Sequence, residues 1–265
     1  FKSKGIYECL KFLALESLIH DKKVKQVIYR GVSSKIDSSI QNLSRELNFE
    51  YKKSVNKIQF NFKIVNIIKG IYFFYKFILK NNKKIHNRKN FAKVTFFSYF
   101  LHFKNTNSDS YNSYLWDGLS DKLKMMKINT NWMHFFVPSS QINNINEAKK
   151  KLTRINENTN ENHLLLNNQI SFYKLLTIFL QYLTLVLKNL IYLNDKELLK
   201  NSISKTNFYY FLVQDIYKSY YGEVLIYNLH IIQTIDQILS TIPKQKLGFY
   251  LLENQGWEKC LNIMW

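Results

Sequence analysis

Apolar and polar positions follow two periods along this chain. Residues 5–20 repeat their apolar side chains at helical spacing. Val24-Lys25-Gln26-Val27-Ile28-Tyr29-Arg30-Gly31 then reads as a strand closed by a glycine turn. Ser33 and Ser34 can cap a helix that carries Ile36, Ile40, Leu43 and Leu47 on one face, and Phe49–Val55 reads as a second strand. A strand–helix–strand opening of this kind predicts a Rossmann-type half-sheet. Residues 60–80 are strongly apolar. Lys63, Asn66, Lys69, Lys76 and Lys80 interrupt them on roughly one helical face, and a basic run of Lys83, Lys84, Arg88 and Lys89 follows. Such a helix either covers a core or lies at a membrane surface.

Val94–Phe103 reads as a buried strand that runs into a polar loop over 104–112. Leu115, Leu119, Leu123 and Met126 share one helix face, and Thr130–Val137 is the next strand, halted by Pro138. Together these make a strand–loop–helix–strand unit. Residues 141–162 are rich in Asn, Lys and Glu and suit a surface helix, Glu147–Ile155, with a linker. Ile170–Leu193 is the longest apolar element. Its polar members Lys174, Thr177, Gln181, Thr184 and Lys188 form one narrow stripe. The uninterrupted run is shorter than the ~18 residues of a membrane-spanning helix. Burial against another helix is expected, with membrane contact as the alternative. Gly222 opens a helix with Leu225, Leu229, Ile232, Ile235, Leu239 and Ile242 on one face, and Pro243 ends it.

The apolar run Leu247–Leu252 then stops at Glu253-Asn254-Gln255-Gly256-Trp257-Glu258. The pattern predicts a buried strand, a tight polar turn and a helix N-terminus. Ligands in open α/β sheets sit at the carboxyl ends of strands, where such turns lie. The same residues also suit a plain turn in which Glu258 favours the helix N-terminus. The expected fold class is α/β: a Rossmann-like parallel sheet with helical insertions. Residues 1–140 are expected to form the α/β region, 141–242 a mainly helical insertion and linker, and 243–265 a strand-turn-helix. The chain begins at Phe1 and ends at Trp265 inside a predicted helix, so it reads as a segment of a longer protein.

The formal charge of +19 comes almost wholly from lysine; arginine occurs only at positions 30, 45, 88 and 154. Abundant Lys, Asn, Ile, Phe and Tyr beside 7 Gly and 2 Pro match an AT-rich coding background. Nucleic-acid readers lean on arginine for bidentate contacts, so the charge favours acidic partners in general rather than nucleic acid. Cys9 and Cys260 stand alone, which indicates neither a zinc site nor a disulfide framework. A cytoplasmic setting is the expectation, with a position peripheral to the inner membrane as the alternative. There is no GxGxxG, P-loop, GxSxG or HExxH pattern, and the six histidines are dispersed, so no metal or cofactor is expected.

What remains are polar groups near predicted strand ends. Glu253, Glu258 and His102 are the candidate catalytic residues. Ser98, Tyr99, Asn254, Gln255, Trp257, Lys244 and Lys246 are the candidate substrate-binding residues. A glycosyl transfer site needs a base or electrostatic stabiliser together with donors for a phosphate. The two glutamates suit the first role, and the two lysines with helix N-terminal amides suit the second. His134 lies inside an apolar strand and reads as a core residue.

Several stretches carry a resemblance: Lys93–Phe103, Tyr114-Leu115-Trp116-Asp117-Gly118-Leu119, Ile128–His134, and Pro243–Lys246 through Tyr250–Glu258. Together they resemble a family of bacterial surface carbohydrate biosynthesis proteins. Its members are similar to glycosyltransferases with two Rossmann domains (GT-B) and act in lipopolysaccharide or capsule assembly. The resemblance covers most of the chain from about Val24 onward, and Glu253–Glu258 is its most specific part. It implies a nucleotide-sugar donor, a glycan or lipid-linked acceptor, and a second Rossmann-like domain that would follow Trp265. The alternative is a non-catalytic membrane-surface binding or scaffold protein of the same pathway.

Overall fold

The computed structural model describes residues 4–31, 33–53, 62–80, 91–101, 103–105, 108–166, 170–193, 204–253 and 255–265. The helices are α1 (Lys4–Asp21), α2 (Ser34–Leu47), α3 (Phe62–Lys80), α4 (Leu119–Met125), α5 (Ile145–Asn158), α6 (Phe172–Tyr192), α7 (Tyr209–Tyr221), α8 (Glu223–Thr241) and α9 (Gly256–Met264). The strands are β1 (Gln26–Tyr29), β2 (Glu50–Lys53), β3 (Val94–Tyr99), β4 (Asn131–Phe135), β5 (Asn162–Leu165) and β6 (Leu247–Tyr250). The basic run beyond Lys80 lies outside the described residues. The chain is mixed α/β with parallel sheets, as its pattern predicts.

Each of two compact units combines two stretches of chain: Phe1–Tyr75 with Leu180–Ile226, and Lys76–Phe179 with Tyr227–Trp265. This differs from the division expected at 140 and 242. The sheet expected within 1–140 is two separate sheets, and part of the supposed insertion belongs to the second of them.

In the first unit β1 and β2 pair in parallel, with Gln26 opposite Glu50 and Tyr29 opposite Lys53. Ile40 and Leu43 of α2 are buried with Phe12, Ile19, Phe49 and Phe211. Asn48 ends α2 in the left-handed conformation (φ 54°), which its short polar side chain tolerates. Glu16 of α1 anchors the segment before α7. Its carboxylate accepts from the Ser204 and Thr206 hydroxyls, both at 2.6 Å, and from the N–H groups of Lys205 and Thr206. Burial alone would raise the Glu16 pKa, but these bonds outweigh it and hold the carboxyl below its usual range. The Tyr182 hydroxyl of α6 lies 3.1 Å from the carbonyl of Ile67 and 2.8 Å from that of Tyr221. Gly70 makes room for it, since a Cβ at that position would sit 2.5 Å from the same hydroxyl.

In the second unit the four strands run parallel in the order β5-β4-β3-β6. Alternation along β3 and β4 sends Phe96 and Trp132 to one face, against Ala148, Leu152 and Ile155 of α5. It sends Phe97, Met133 and Phe135 to the other, against Ile235 and Ile238 of α8 and Trp257 and Leu261 of α9. The result is a three-layer α/β/α arrangement. β3 connects forward to β4 on one side and receives β6 on the other, so the order reverses between β3 and β6.

Three local expectations change. β5 begins where the stretch read as a surface helix and linker ends; Asn162 and His163 hid it, because their polar side chains are bonded inside the core. β6 is an edge strand, and Leu247 and Phe249 are 54% and 39% exposed, so it is not the buried strand its apolar run suggests. The helix expected through Leu115 and Met126 is broken into a 3-10 turn (Tyr114–Trp116) and α4, with Asp117 and Gly118 both at positive φ between them.

At the amino ends of the sheet one side chain, from β4, reaches β3, β5 and the segment leading into β6. Asn131 Oδ1 accepts from the Ala92 N–H (2.9 Å) and from Asn162 Nδ2 (3.2 Å). Its Nδ2 faces the Ala92 carbonyl and Thr95 Oγ1, both at 2.9 Å, and Gln245 Oε1 at 3.4 Å. Asn131→Leu strands several buried polar groups at once. It should cost at least about 3 kcal/mol, read as a lowered urea midpoint at unchanged m-value.

Candidate functional site

The reversal between β3 and β6 is a topological switch point, and the carboxyl ends of the strands beside such a point are the usual ligand position, or crevice, of an open α/β sheet. Tyr99 is the last residue of β3. β6 ends at Tyr250, and α9 starts at Gly256 after a short turn. The α9 N-terminus brings Trp257 over the strand ends, where its ring packs on Phe135 (4.6 Å between centroids), Tyr250 (5.9 Å) and Tyr99 (6.3 Å). The indole Nε1 donates to the Tyr99 hydroxyl at 3.0 Å.

Glu258 follows in the first turn of α9 and is only 2% exposed. One carboxylate oxygen accepts from the Glu253 N–H at 3.0 Å. The other has no hydrogen-bond partner among the described residues. A buried carboxylate oxygen without a donor is costly, so it marks a position where a donor from outside the protein is favoured. Tyr99 senses this surrounding: burial raises its phenol pKa, Trp257 opposes the rise, and the charges of Glu253 and Glu258 add to it. Tyr227 of α8 joins the group, with its own phenol pushed up by burial and by Tyr99.

Tyr99, Glu253, Trp257 and Glu258 thus meet at one sheet end. Gln255 is the N-cap residue of α9, though its side chain makes no capping bond. Asn254 and His102 lie outside the described residues. Ser98 does not join the group. It points to the opposite face of the sheet, is 2% exposed, and accepts from Trp116 Nε1 at 2.8 Å. Lys244 and Lys246 precede β6 and so stand at the amino ends of the strands, away from the crevice. Their placement follows from the chain direction of a parallel strand, which separates its two flanking turns by the full strand length.

A second polar set on α8 escaped the sequence reading. Tyr227, His230 and Thr234 line a cavity of about 10 Å³ with Phe135, Leu166, Ile231 and Ile235. His230 Nε2 is 3.2 Å from the Thr234 hydroxyl. The signal available in the sequence was polar residues at positions 227, 230 and 234, three and four apart, on a helix otherwise read for its apolar face.

His134 is a core residue. Its Nε2 is 3.0 Å from His163 Nδ1, and His163 Nε2 is 3.4 Å from Glu161, which in turn lies 3.6 Å from Lys124. The two imidazoles stack nearly parallel on Trp132. Burial, reinforced by the neighbouring His163, holds His134 well below the usual histidine range. Among the described residues no group of three or more His, Cys, Asp or Glu is arranged to hold a metal ion.

No protein-family model matches this chain, and no curated protein or solved structure matches it.

Burial makes His230 titrate at about 4 in the folded protein. The unfolded value is near 6.5, so protons bind the unfolded chain more readily. Stability is full above pH 6.5 and declines as the pH falls toward 4, by up to about 1.4 kcal/mol per pH unit for each such histidine. Urea unfolding at pH 7.5, 5.5 and 4.5 should show this slope, and His230→Asn should flatten it.

Proposed function

We propose that the crevice between β3 and β6 binds a nucleotide sugar. In this reading the protein is a glycosyltransferase-like enzyme of bacterial surface polysaccharide synthesis, of the GT-B kind. The observation that carries the reading is the buried Glu258, one of whose carboxylate oxygens has no partner among the described residues, set beside the Tyr99–Trp257 hydrogen bond at a strand-order reversal. The motif stretches that resemble surface carbohydrate proteins support it, since the crevice is built from two of them.

The chemistry assigns roles. Glu258 has an acceptor oxygen without a partner among the described residues and can take the proton of an attacking acceptor hydroxyl. Glu253 is exposed and can steady positive charge that develops on the sugar. Tyr250, half-buried at the end of β6, offers a ring for a base or sugar, and Trp257 supports it from the core. Lys244 and Lys246 take no part in this scheme, because they stand at the other end of the strands. The α9 N-terminal amides are the phosphate donors in the crevice itself.

A second reading is favoured by one surface feature. α6 buries Leu175, Ile178, Tyr182 and Val186, while Leu176, Leu180, Leu183, Leu187 and Ile191 on its other side are 36–71% exposed. The expected burial of this helix thus covers one side only, and the polar stripe borders the exposed side. α3 exposes Ile64, Ile68, Ile71, Tyr72 and Tyr75 in the same way, beside Lys69 and Lys76. Among the described residues α6 is the one helix long and apolar enough to cross a membrane. These faces suit a protein that works at an anionic membrane surface, either as the enzyme or as a scaffold for others.

Thermal shift against CMP-, UDP- and GDP-linked sugars tests the first reading. One donor class should raise the midpoint in the wild type. Glu258→Gln should lower the turnover of that donor by about 10²- to 10⁴-fold while leaving the fold intact. Absence of a shift with every donor, in a well-folded sample, favours the scaffold. Flotation with liposomes containing anionic lipid tests membrane contact. Leu180→Ser with Leu187→Ser should reduce the bound fraction, and no binding by the wild type excludes that contact.

A further inference from the structure

An open cavity of about 490 Å³ lies on the α5 side of the second unit, bounded by Ser108, Asp109, Gln141 and Ile142 and by one face of α5. Its volume falls within the ~300–1,000 Å³ usual for small-molecule sites. The α5 face contributes Glu147, Lys150, Lys151 and Arg154, spaced so that all four point the same way. Three of the four are cations.

Gln141 and Glu147 are held by bonds of their own. The Gln141 carboxamide clamps the backbone of Phe103, accepting from its N–H and donating to its carbonyl, both at 3.0 Å. The Glu147 carboxylate is turned back to the start of α5. There it accepts from the Asn143 N–H at 3.3 Å and from Asn144 Nδ2 at 2.7 Å. Its charge is therefore committed to the helix start. Lys151 is drawn inward: its ammonium donates to the Ser108 carbonyl at 3.1 Å and lies 5.2 Å from the Phe103 ring centroid. Burial lowers its pKa, with Asp109 opposing and Arg154 adding to the fall. Lys151 and Arg154, three residues apart, and Lys150 and Arg154, four apart, are like-charge neighbours. Such pairs weaken a helix unless an anion lies between them. Arg154 is also one of only four arginines in a chain whose other cations are lysines. Its planar fork matches two oxygens of one phosphate.

We propose that this cavity binds the phosphate of a small phosphorylated ligand, with Arg154 and Lys150 as its principal contacts and Lys151 closing the inner wall. Asp109, at the rim, repels a second phosphate and accepts from a hydroxyl, so the ligand class is a phosphate monoester of a polyol or sugar. The assignment stands on the cavity and its charges. It does not depend on a glycosyl transfer reaction in the β3–β6 crevice.

The test uses inorganic phosphate and glucose 6-phosphate as probes, with glucose and chloride at matched ionic strength as controls, read by calorimetric titration. The wild type should bind glucose 6-phosphate saturably and more tightly than inorganic phosphate, and should not bind glucose. Arg154→Lys should weaken binding about tenfold by removing the fork while keeping the charge. Lys150→Ala with Arg154→Ala should weaken it by about 100-fold. Both variants place good helix formers on an exposed face, and circular dichroism checks that α5 persists. The proposal is overturned if the wild type binds neither probe beyond the chloride control, or if the folded double variant binds as tightly as the wild type. Glu258→Gln serves as a separate control: phosphate binding that survives it belongs to this cavity, and binding that disappears with it belongs to the crevice.

Discussion

The carboxamide of Asn131 holds the four-stranded sheet in register at its amino ends. It bonds to the segments leading into β3 and β6, to Thr95 within β3, and to Asn162 of β5. A parallel pair receives less guidance from local turns than an antiparallel hairpin, since each neighbour arrives through a long crossover. A side chain that satisfies polar groups of several strands at once supplies that guidance, because a slip by one residue would leave all of them unpaired in the core. The positions of Tyr99 and Tyr250 at the far end follow from this alignment, with Phe97 opposite Tyr250 across β3 and β6.

Two kinds of polar residue occupy the second unit. The first kind is linked side chain to side chain. His134, His163, Glu161 and Lys124 form a chain in which each group meets the next, and Ser98 is absorbed by Trp116. The second kind is left open: Glu258 has one bare carboxylate oxygen, and Arg154 and Lys150 face a cavity. Burial alone does not separate them, because Ser98, His134 and Glu258 are all 2% exposed or less. Position does: the first set is knitted through the core, although His134 Nδ1 has no partner among the described residues, whereas the second stands at a strand-end turn and at a cavity wall.

Much of this was legible in the pattern of residues. The helical period found α1, α2, α3, α6 and α8, and runs of β-branched and aromatic residues found β1, β3 and β4. Glu253–Glu258 was legible as a turn at a strand's carboxyl end because the change from apolar to polar is abrupt there. β5 was hidden because its polar side chains are paid for by partners far away in sequence, which no local pattern shows. The exposure of β6 was hidden for a related reason: an apolar run does not tell whether a strand lies in the middle of a sheet or at its edge. Lys244 and Lys246 looked adjacent to the glutamates in sequence, yet a strand between two turns carries them to opposite ends of the sheet.

The order in which the sheet is written has a consequence for how the protein is made. β3, β4 and β5 are synthesised in succession and can pair as soon as they emerge. β6 is separated from them by α6, α7 and α8, a stretch that includes the whole second segment of the first unit, Leu180–Ile226. Pairing across so long a loop is slow because the loop must be closed before the contact rewards it. At ~5–20 residues per second of synthesis, the three-stranded sheet waits for seconds with the β3 edge bare. During that interval the β3 edge is open to other strands, so the strand-end site is assembled only after the rest of this sheet has paired and is exposed to mispairing until then.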